Sequence, residues 1–195
     1  MNGLIPVYDW FFNETSASKE YKNVWTNEFI EKWMRDFSIE NVLKRKGPVA
    51  RFPYGAGAPR SILHALQKYD INGKNVAVIG TIHPWIEAIL LNVGNTVTTV
   101  EYDPPVSKSF KVKTVKYENE FNTGKPNMYD VIVTFSSVEH SGLGRYGDPL
   151  DPDGDLKVMD DAYRVLKHDG LLLFGAPMGK DALVWNAHRI YGTYS

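Results

Sequence analysis

Continuous apolar strands constrain the fold of this chain more than any other sequence feature. Unbroken apolar runs occur in Asn75–Gly80, Tyr129–Phe135 and Gly170–Ala176. Such strands are buried on both faces, and here helix-like segments separate them, so the pattern predicts a parallel sheet covered by helices on both sides. The Val- and Thr-rich Asn95–Glu101 and the alternating Lys111–Tyr117 bring the α/β sheet to five strands, mostly parallel, with Lys111–Tyr117 nearer an edge.

Three helices are predicted around these strands. Arg60–Tyr69 follows a loop rich in Pro and Gly. Pro84–Val93 starts with a proline and is followed by Gly94, which suits the two ends of a helix. The third helix is Asp155–Leu166. Its predicted inward-facing residues are Leu156, Met159, Ala162, Tyr163 and Leu166.

The first 50 residues are predicted to form an N-terminal helical extension or lid, ahead of a domain over residues 51–195. A helix capped by Ser18 is predicted to continue to about Phe37. Its aromatic residues are four apart, which places them on one helix face. This stripe either packs in the core or walls a neighbouring site. The stripe comprises Tyr21, Trp25, Phe29, Trp33 and Phe37.

Composition excludes several classes of function. The 195 residues carry 22 basic and 23 acidic side chains, so charge gives no reason to expect nucleic-acid or anionic-membrane binding. Cysteine is absent, which excludes disulfides, thiolate metal sites and a cysteine nucleophile. No apolar run reaches the roughly 20 residues of a spanning helix, so no membrane segment is predicted. The start of the chain lacks a signal-peptide pattern, which together with the absence of cysteine favours a cytoplasmic protein.

Residues that follow the predicted strands are the candidates for ligand binding, because parallel sheets bind ligands beyond their carboxyl ends. Gly80 ends one strand, and Glu101 ends the next, 21 residues later. A carboxylate at about this separation accepts hydrogen bonds from ribose hydroxyls, which indicates a nucleoside ligand. The alternative is a strand-end acid that only faces solvent.

Several segments resemble a class I S-adenosylmethionine-dependent methyltransferase. Lys74 to Pro177 carries the likeness, above all in Tyr163-Arg164-Val165-Leu166-Lys167-His168-Asp169-Gly170-Leu171-Leu172-Leu173-Phe174, which is similar to that superfamily's helix-to-strand signature. The resemblance implies a Rossmann-like fold, S-adenosylmethionine as cofactor, and methyl transfer to a small-molecule or glycan-type acceptor. The cofactor residues it implies are Gly80, Thr81, Glu101, Tyr102, Glu118, Ser136 and Ser137.

Two departures from that family support an alternative function. Val78 stands where methyltransferases usually have an acid, and Ile82 and Pro84 stand where they have glycines. The alternative is a catalytically inactive methyltransferase-like binding or scaffold module. Five strands are placed where the family's sheet has seven, so the C-terminal hairpin of that fold is expected to be missing and the chain to be a C-terminally truncated domain.

A narrower resemblance covers Ser137–Asp155 and Leu183–Gly192. These segments are similar to an uncharacterised domain-of-unknown-function family first catalogued in nematode proteins. The family has no established reaction, so this likeness implies no activity.

Glu139 and His140 are the candidate catalytic residues, because histidine acts as a general base near neutral pH and a carboxylate can orient it. The alternative is that His140 holds the loop through a backbone hydrogen bond. In the long loop that follows, Arg145 and Tyr146 are predicted to bind substrate, since arginine holds phosphates and carboxylates.

The same loop is rich in aspartate, but no metal site is predicted. Helix capping by Asp153 or Asp155 is favoured over a metal held by Asp148, Asp151 and Asp153, which would belong to a glycan-processing enzyme. After the last predicted strand, His188 and Arg189 form either a substrate-binding patch or part of a packed helix.

Overall fold

A computed structural model describes residues 5–12 and 24–193. A short 3-10 helix (Gly47–Arg51) and a π-helical turn (Glu118–Asn122) accompany the regular elements. In chain order these elements are β1 (Val7–Trp10), α1 (Asn27–Asp36), α2 (Ile39–Lys44), α3 (Gly57–Lys68), β2 (Asn75–Ile79), α4 (Trp85–Asn92), β3 (Thr96–Glu101), β4 (Val112–Lys116), β5 (Tyr129–Phe135), α5 (Gly154–Val165), β6 (Leu166–Gly175), β7 (Ala182–Asn186) and β8 (His188–Ile190).

The main sheet has five strands in the order β4-β3-β2-β5-β6, and every neighbouring pair is parallel. This confirms the predicted α/β, Rossmann-like fold and the edge position of β4. The chain adds β3 and β4 on one side of β2 and then returns to add β5 and β6 on the other. The strand order therefore reverses between β2 and β5, and the sheet has its switch point there.

Each face of the sheet has its own hydrophobic core. Val76 and Val78 point to one face, where α1, α3 and α4 pack. Ala77 and Ile79 point to the other face, where α5 packs. Successive strand residues alternate between faces, so the continuous apolar runs are explained by helices on both sides.

The aromatic helix begins later than the sequence predicted. Trp25 is extended and forms a parallel β-bridge with Ser107, and the hydroxyl of Thr26 caps the helix by accepting from the amide of Phe29 at 3.2 Å. Ser18 and Tyr21, which belonged to the prediction, lie outside the described residues. The aromatic stripe does form, since Trp25, Phe29, Trp33 and Phe37 contact one another in sequence at 5.4–6.4 Å between ring centroids.

Helix α5 is rotated relative to the predicted inward face. Leu156 and Tyr163 were wrongly placed in the core and are 61% and 83% exposed, whereas Ala162 is buried as predicted. The residues that α5 does bury include Asp155 and Val158. The Asp155 carboxylate accepts a hydrogen bond from the hydroxyl of Tyr191 at 2.9 Å and lies 3.4 Å from Arg189 Nε. Pairing with these two residues turns Asp155 inward, and Leu156 consequently faces outward.

A second sheet joins the two ends of the described chain. β1 pairs with β7 in parallel, and β7 pairs with β8 as an antiparallel hairpin. Among the described residues the main sheet ends at β6, so the hairpin that would extend the methyltransferase sheet is missing, as expected. The β7–β8 hairpin of the second sheet was not predicted. His188 and Arg189 lie in β8, so the packed helix considered for them was wrong, and the N-terminal segment is not wholly helical. The hairpin lies outside the main sheet, which has β6 at its edge. Among the described helices, none has the length and apolar character needed to span a membrane.

Candidate functional site

The switch point is formed by Gly80 after β2 and by Ser136 and Ser137 after β5. Gly80 has a φ of +77° and Ser136 a φ of +52°, so both adopt the left-handed backbone conformation. A Cβ atom on Gly80 would lie 1.8 Å from Ser137 Oγ, so only glycine allows this approach of the two segments. Left-handed backbone is uncommon at a non-glycine residue such as Ser136, and it is found both in ordinary turns and at functional sites.

Glu101 ends β3 beside this turn and is partly buried. Its Oε1 accepts the backbone N–H of Thr81, and its Oε2 accepts that of Tyr102 at 3.3 Å. Burial raises the pKa of Glu101 to about 7, with a smaller contribution from Asp103, while the two backbone donors oppose the rise. The carboxyl group thus connects the ends of β2 and β3 and keeps acceptor capacity for a ligand hydroxyl.

Glu87 is a buried acid that the sequence reasoning missed. It is 0% exposed on α4, and its Oε1 accepts the Thr99 hydroxyl at 2.8 Å. Its Oε2 has no hydrogen-bond partner among the described residues. Burial raises its pKa to about 7, and Glu101 adds to the rise. The available signal was one acid within the apolar stretch Trp85-Ile86-Glu87-Ala88-Ile89.

The predicted catalytic pair lies in a short 3-10 turn, Val138–His140. The turn brings His140 Nε2 to 3.7 Å from Glu139 Oε1, although the residues are adjacent in sequence. Glu139 is 0% exposed, and neither of its carboxylate oxygens accepts a well-formed hydrogen bond from the described residues. Burial raises its pKa. His140 Nδ1 pairs with the backbone carbonyl of Ala187, so the backbone contact considered for this residue is present beside the carboxylate contact.

Three further predicted residues surround His140. The ring of Tyr146 lies 5.6 Å from that of His140, and the ring of His188 lies 6.1 Å from it, both edge-on. The Arg145 guanidinium lies 5.1 Å from the Tyr146 ring and donates to the Ala187 carbonyl at 3.2 Å. Burial lowers the pKa of His188, and the positive charge of Arg145 lowers it further. The structure thus brings together four residues that are up to 48 positions apart in sequence.

Arg189 makes its contacts inside the protein. Its Nη1 donates to the Ser141 carbonyl at 2.6 Å, and its Nη2 donates to the Pro152 carbonyl at 3.0 Å. Its Nε lies 3.4 Å from Asp155 Oδ1. These contacts hold the two ends of the 141–154 loop together, and binding of substrate by Arg189 stays a prediction.

Within the loop, one aspartate accepts several backbone N–H groups. Asp148 accepts the backbone N–H groups of Gly142, Gly144 and Tyr146 at 2.8–3.2 Å. Asp153 occupies the N-cap of α5 without a side-chain capping bond, and Asp155 is buried against Arg189, so the predicted capping by these residues was wrong. Within the described ranges, no three acidic or histidine side chains are grouped to hold a metal ion.

The remaining predicted cofactor residues, Tyr102 and Glu118, have exposed side chains. Tyr102 is 42% exposed, and Glu118 is exposed. Burial raises the pKa of the Tyr102 phenol, and the carboxylates of Glu118 and Asp148 raise it further. The 141–154 loop and the π-helical turn therefore both approach Tyr102.

Helix α1 also reaches the switch-point region. The Trp33 ring stacks on His83 at 5.5 Å with an interplanar angle of 18°. His83 follows Thr81, whose hydroxyl donates to the His83 carbonyl at 2.7 Å. The aromatic stripe consequently packs in the core and also lies beside the segment that follows β2.

The sheet order and its switch point define a Rossmann-like α/β domain, and the candidate site residues lie at the carboxyl ends of β2, β3 and β5. The model of a family described as Caenorhabditis protein of unknown function, DUF268, matches residues 73–195, and the chain belongs to that family. The matched region contains the main sheet and the β7–β8 hairpin. The comparison with curated proteins gave no match.

Proposed function

We propose that this chain is an S-adenosylmethionine-dependent methyltransferase whose acceptor is a small molecule or a glycan. One observation carries the proposal: the strand order reverses at Gly80, and the partly buried carboxylate of Glu101 ends the next strand. Nucleoside ligands bind at such a switch point, with an acidic residue on the ribose.

The residues at this edge fit the nucleoside half of the cofactor. Glu101 has two backbone donors, and each of its oxygens retains a lone pair for a ribose hydroxyl. Tyr102 and Glu118 lie beyond it with exposed side chains that can border an adenine. The methionine half has less support, because Val78 is fully buried in the core where an acid would contact it.

The bound cofactor would supply an electrophilic methyl group. The chain's own residues would orient the acceptor and take its proton. His140 is the candidate base, because donation from Nδ1 to the Ala187 carbonyl leaves Nε2 as the acceptor nitrogen. Glu139, 3.7 Å from Nε2, would stabilise the protonated ring. General-base assistance of this kind contributes about 10²–10⁴-fold.

Calorimetric titration with S-adenosylmethionine and with S-adenosylhomocysteine tests the proposal. We expect one site per chain and a loss of affinity of about tenfold or more in Glu101→Ala, since a hydrogen bond to a charged group is worth about 1.5–3 kcal/mol. Glu101→Gln keeps an acceptor for the Thr81 amide and serves as the milder variant. Asp169→Ala, at a fully exposed carboxylate, is the control and should bind normally. Absence of heat at millimolar ligand would overturn the proposal.

A binding or scaffold module without activity is the second candidate. The Ser137 side chain occupies the space beside Gly80. Two surface clefts lie away from this edge, one bordered by Ser107 and Phe110 and the other by Met34 and Asn92. A folded protein that binds neither cofactor form but captures a protein partner supports this candidate. Turnover that is lost in His140→Ala contradicts it.

A further inference from the structure

Glu87 is a buried acid that packing alone does not explain. Of the eight residues of α4, all of which the structure describes, it alone is charged. The Oε1 atom of this fully buried side chain accepts the Thr99 hydroxyl at 2.8 Å, whereas Oε2 has no hydrogen-bond partner among the described residues. A buried carboxyl oxygen without a partner destabilises the folded state, and an apolar residue here would stabilise the core more. The acid therefore indicates a role at the neighbouring site.

Glu87 lies next to the acid of the candidate nucleoside site. Val97 belongs to the core that α4 shares, and the side chains of Thr99 and Glu101 point to the same sheet face, because side chains alternate along β3. The Thr99 hydroxyl contacts Glu87, and Glu101 follows on the same face about 7 Å further along the strand. The charge of Glu101 reaches Glu87.

Thr81 connects the two acids. Its backbone N–H donates to Glu101 Oε1, and its side chain interacts with the Glu87 carboxyl. The Thr81 hydroxyl donates its own proton to the His83 carbonyl at 2.7 Å, so its oxygen can accept a proton from a neutral Glu87. A protonated Oε2 of Glu87 would thereby gain the partner that it lacks, and Thr81 would be held through both its backbone and its side chain.

The two carboxyl groups disfavour each other's ionisation. Burial raises the pKa of Glu87, and the charge of Glu101 raises it further, while the Glu87 amide and two threonine hydroxyls oppose the rise. Burial also raises the pKa of Glu101, against its two backbone donors. Carboxyl groups that interact in this way titrate as a pair. Near neutral pH the pair therefore holds one proton.

The neighbouring charged groups do not neutralise this pair. Lys116 of β4 is the register partner of Glu101, but its side chain is exposed. Asp103, which follows β3, adds negative charge beside Glu101. Burial lowers the pKa of His83, which favours its neutral form. Helices α1 and α3 meet α4 through apolar side chains, and none of the described groups that act on Glu87 is positive.

We propose that Glu87 is a positioning residue of the nucleoside site, a neutral acid that holds Thr81 so that Glu101 can be the carboxylate that accepts the ribose hydroxyls. This inference rests on the proposed function. Ribose hydroxyls favour the ionised form of Glu101, so binding leaves the shared proton on Glu87 Oε2, which donates it to Thr81 Oγ1. Near neutral pH no proton is gained or lost. At alkaline pH, where both acids are ionised, binding takes a proton from solvent onto Glu87.

The test follows binding of 5′-methylthioadenosine, which carries the ribose and adenine of the cofactor and has no group that titrates near neutral pH. Calorimetry with the full chain covers about pH 6 to about pH 9 in two buffers of different ionisation enthalpy. We expect the affinity to fall about tenfold or more between about pH 7 and about pH 9, because the competent protonation state becomes a minor species. At the alkaline end, binding should take up on the order of one proton per site.

Glu87→Gln separates the role of the proton from that of packing. Glutamine is always neutral and offers an oxygen to Thr99 and an amide N–H to Thr81. The alkaline loss of affinity and the proton uptake should both disappear, while binding near neutral pH is retained. A merely structural role would change the affinity equally at every pH. Glu40→Gln, at an exposed acid of α2, is the matched control and should keep the pH profile of the unaltered chain.

A titration without ligand keeps this inference separate from the methyltransferase proposal. The NMR signal of the Thr81 amide reports on the Glu101 carboxyl that accepts from it. In the unaltered chain this signal should titrate in two steps, because the two acids are coupled, and in Glu87→Gln it should titrate in one step.

The outcomes distinguish the two proposals. An unchanged Thr81 titration in Glu87→Gln, an unchanged pH profile of binding, or loss of binding at every pH would overturn the role of Glu87. Binding of methylthioadenosine with the expected profile, but no binding of S-adenosylmethionine, would contradict the methyltransferase proposal alone. If neither compound bound, both proposals would be wrong, even with a coupled titration.

Discussion

Carboxyl groups with raised pKa values make the stability of this domain depend on pH. Glu87 and Glu101 have pKa values raised to about 7 by burial, against an ordinary value of 4.5. In the folded chain these groups hold their protons to higher pH than in the unfolded chain. The folded state is thus favoured by their protonation, and its stability decreases as pH rises between about 4.5 and 7.

Glu87→Gln should remove part of this decrease in stability at higher pH. Glutamine retains an oxygen for the Thr99 hydroxyl and carries no charge that burial could penalise. We expect the variant to gain stability relative to the unaltered chain as pH rises from 5 to 8, by on the order of 2 kcal/mol. Urea denaturation across that pH range measures the difference.

Glu118→Gln is the matched control for this prediction, because Glu118 is exposed and the substitution is the same. Its stability should follow that of the unaltered chain at every pH. If Glu87→Gln showed the same difference in stability at pH 5 and pH 8, Glu87 would titrate normally and the assigned effect of burial would be wrong.

The positions of candidate site residues were predictable where the spacing along the chain places them at the ends of neighbouring strands. Gly80 follows β2 and Glu101 ends β3, at a separation typical of nucleoside sites, and the structure places Gly80 at the switch point and Glu101 beside it. Glu87 was missed, because an acid on a helix ordinarily faces solvent. Phe12 was also missed, since only the fold reveals that it lies 4.6 Å from the guanidinium of Arg145.

At the scale of elements, the long loop between β5 and α5 depends on Arg189 of β8. Arg189 binds carbonyls at both ends of this loop, at Ser141 and Pro152. We expect Arg189→Ala to increase amide hydrogen exchange across residues 142–153 and to lower stability by about 2–4 kcal/mol, because the buried Asp155 loses its partner. Exchange measured by mass spectrometry localises the effect.

Arg164→Ala is the matched control for the loop. Arg164 also pairs an aspartate, Asp161, and donates to the carbonyl of Gly124 at 2.6 Å. Its loss should leave exchange in the 142–153 segment unchanged. A loop that stays equally protected in Arg189→Ala would show that Asp148 alone orders it.

The elements that sequence patterns predicted are the strands of the main sheet and the helices α3, α4 and α5 that cover it. A strand that is buried on both faces has an apolar sequence whichever strands it pairs with. β5, for example, begins and ends where it was predicted. β1, β7 and β8 gave no such signal, because β1 is exposed throughout and its partner strand lies some 175 residues further along the chain. Pairing between strands so far apart in the chain depends on the complete fold, and local sequence patterns do not predict it. The β7–β8 hairpin, which belongs to the same sheet, was missed for this reason.

At the scale of the whole molecule, one core connects the N-terminal helices to the sheet. Ile30, Phe37 and Val42 pack in the same hydrophobic cluster as Val76 and Trp85. The sequence was divided into an extension over residues 1–50 and a domain over 51–195, and this core contains residues of both parts. If the shared core governs stability, both parts unfold in a single cooperative transition.

Phe37→Ala tests that cooperativity. Phe37 is 1% exposed and contacts the rings of Trp33, Phe52 and Trp85. Truncation should cost about 3–5 kcal/mol, and the unfolding midpoints measured by tryptophan fluorescence and by far-ultraviolet circular dichroism should shift together. Phe110→Ala, at a ring that is 82% exposed, should change the midpoint little. If fluorescence reported an earlier transition than dichroism, the N-terminal helices would be a separate cooperative unit that unfolds while the sheet persists.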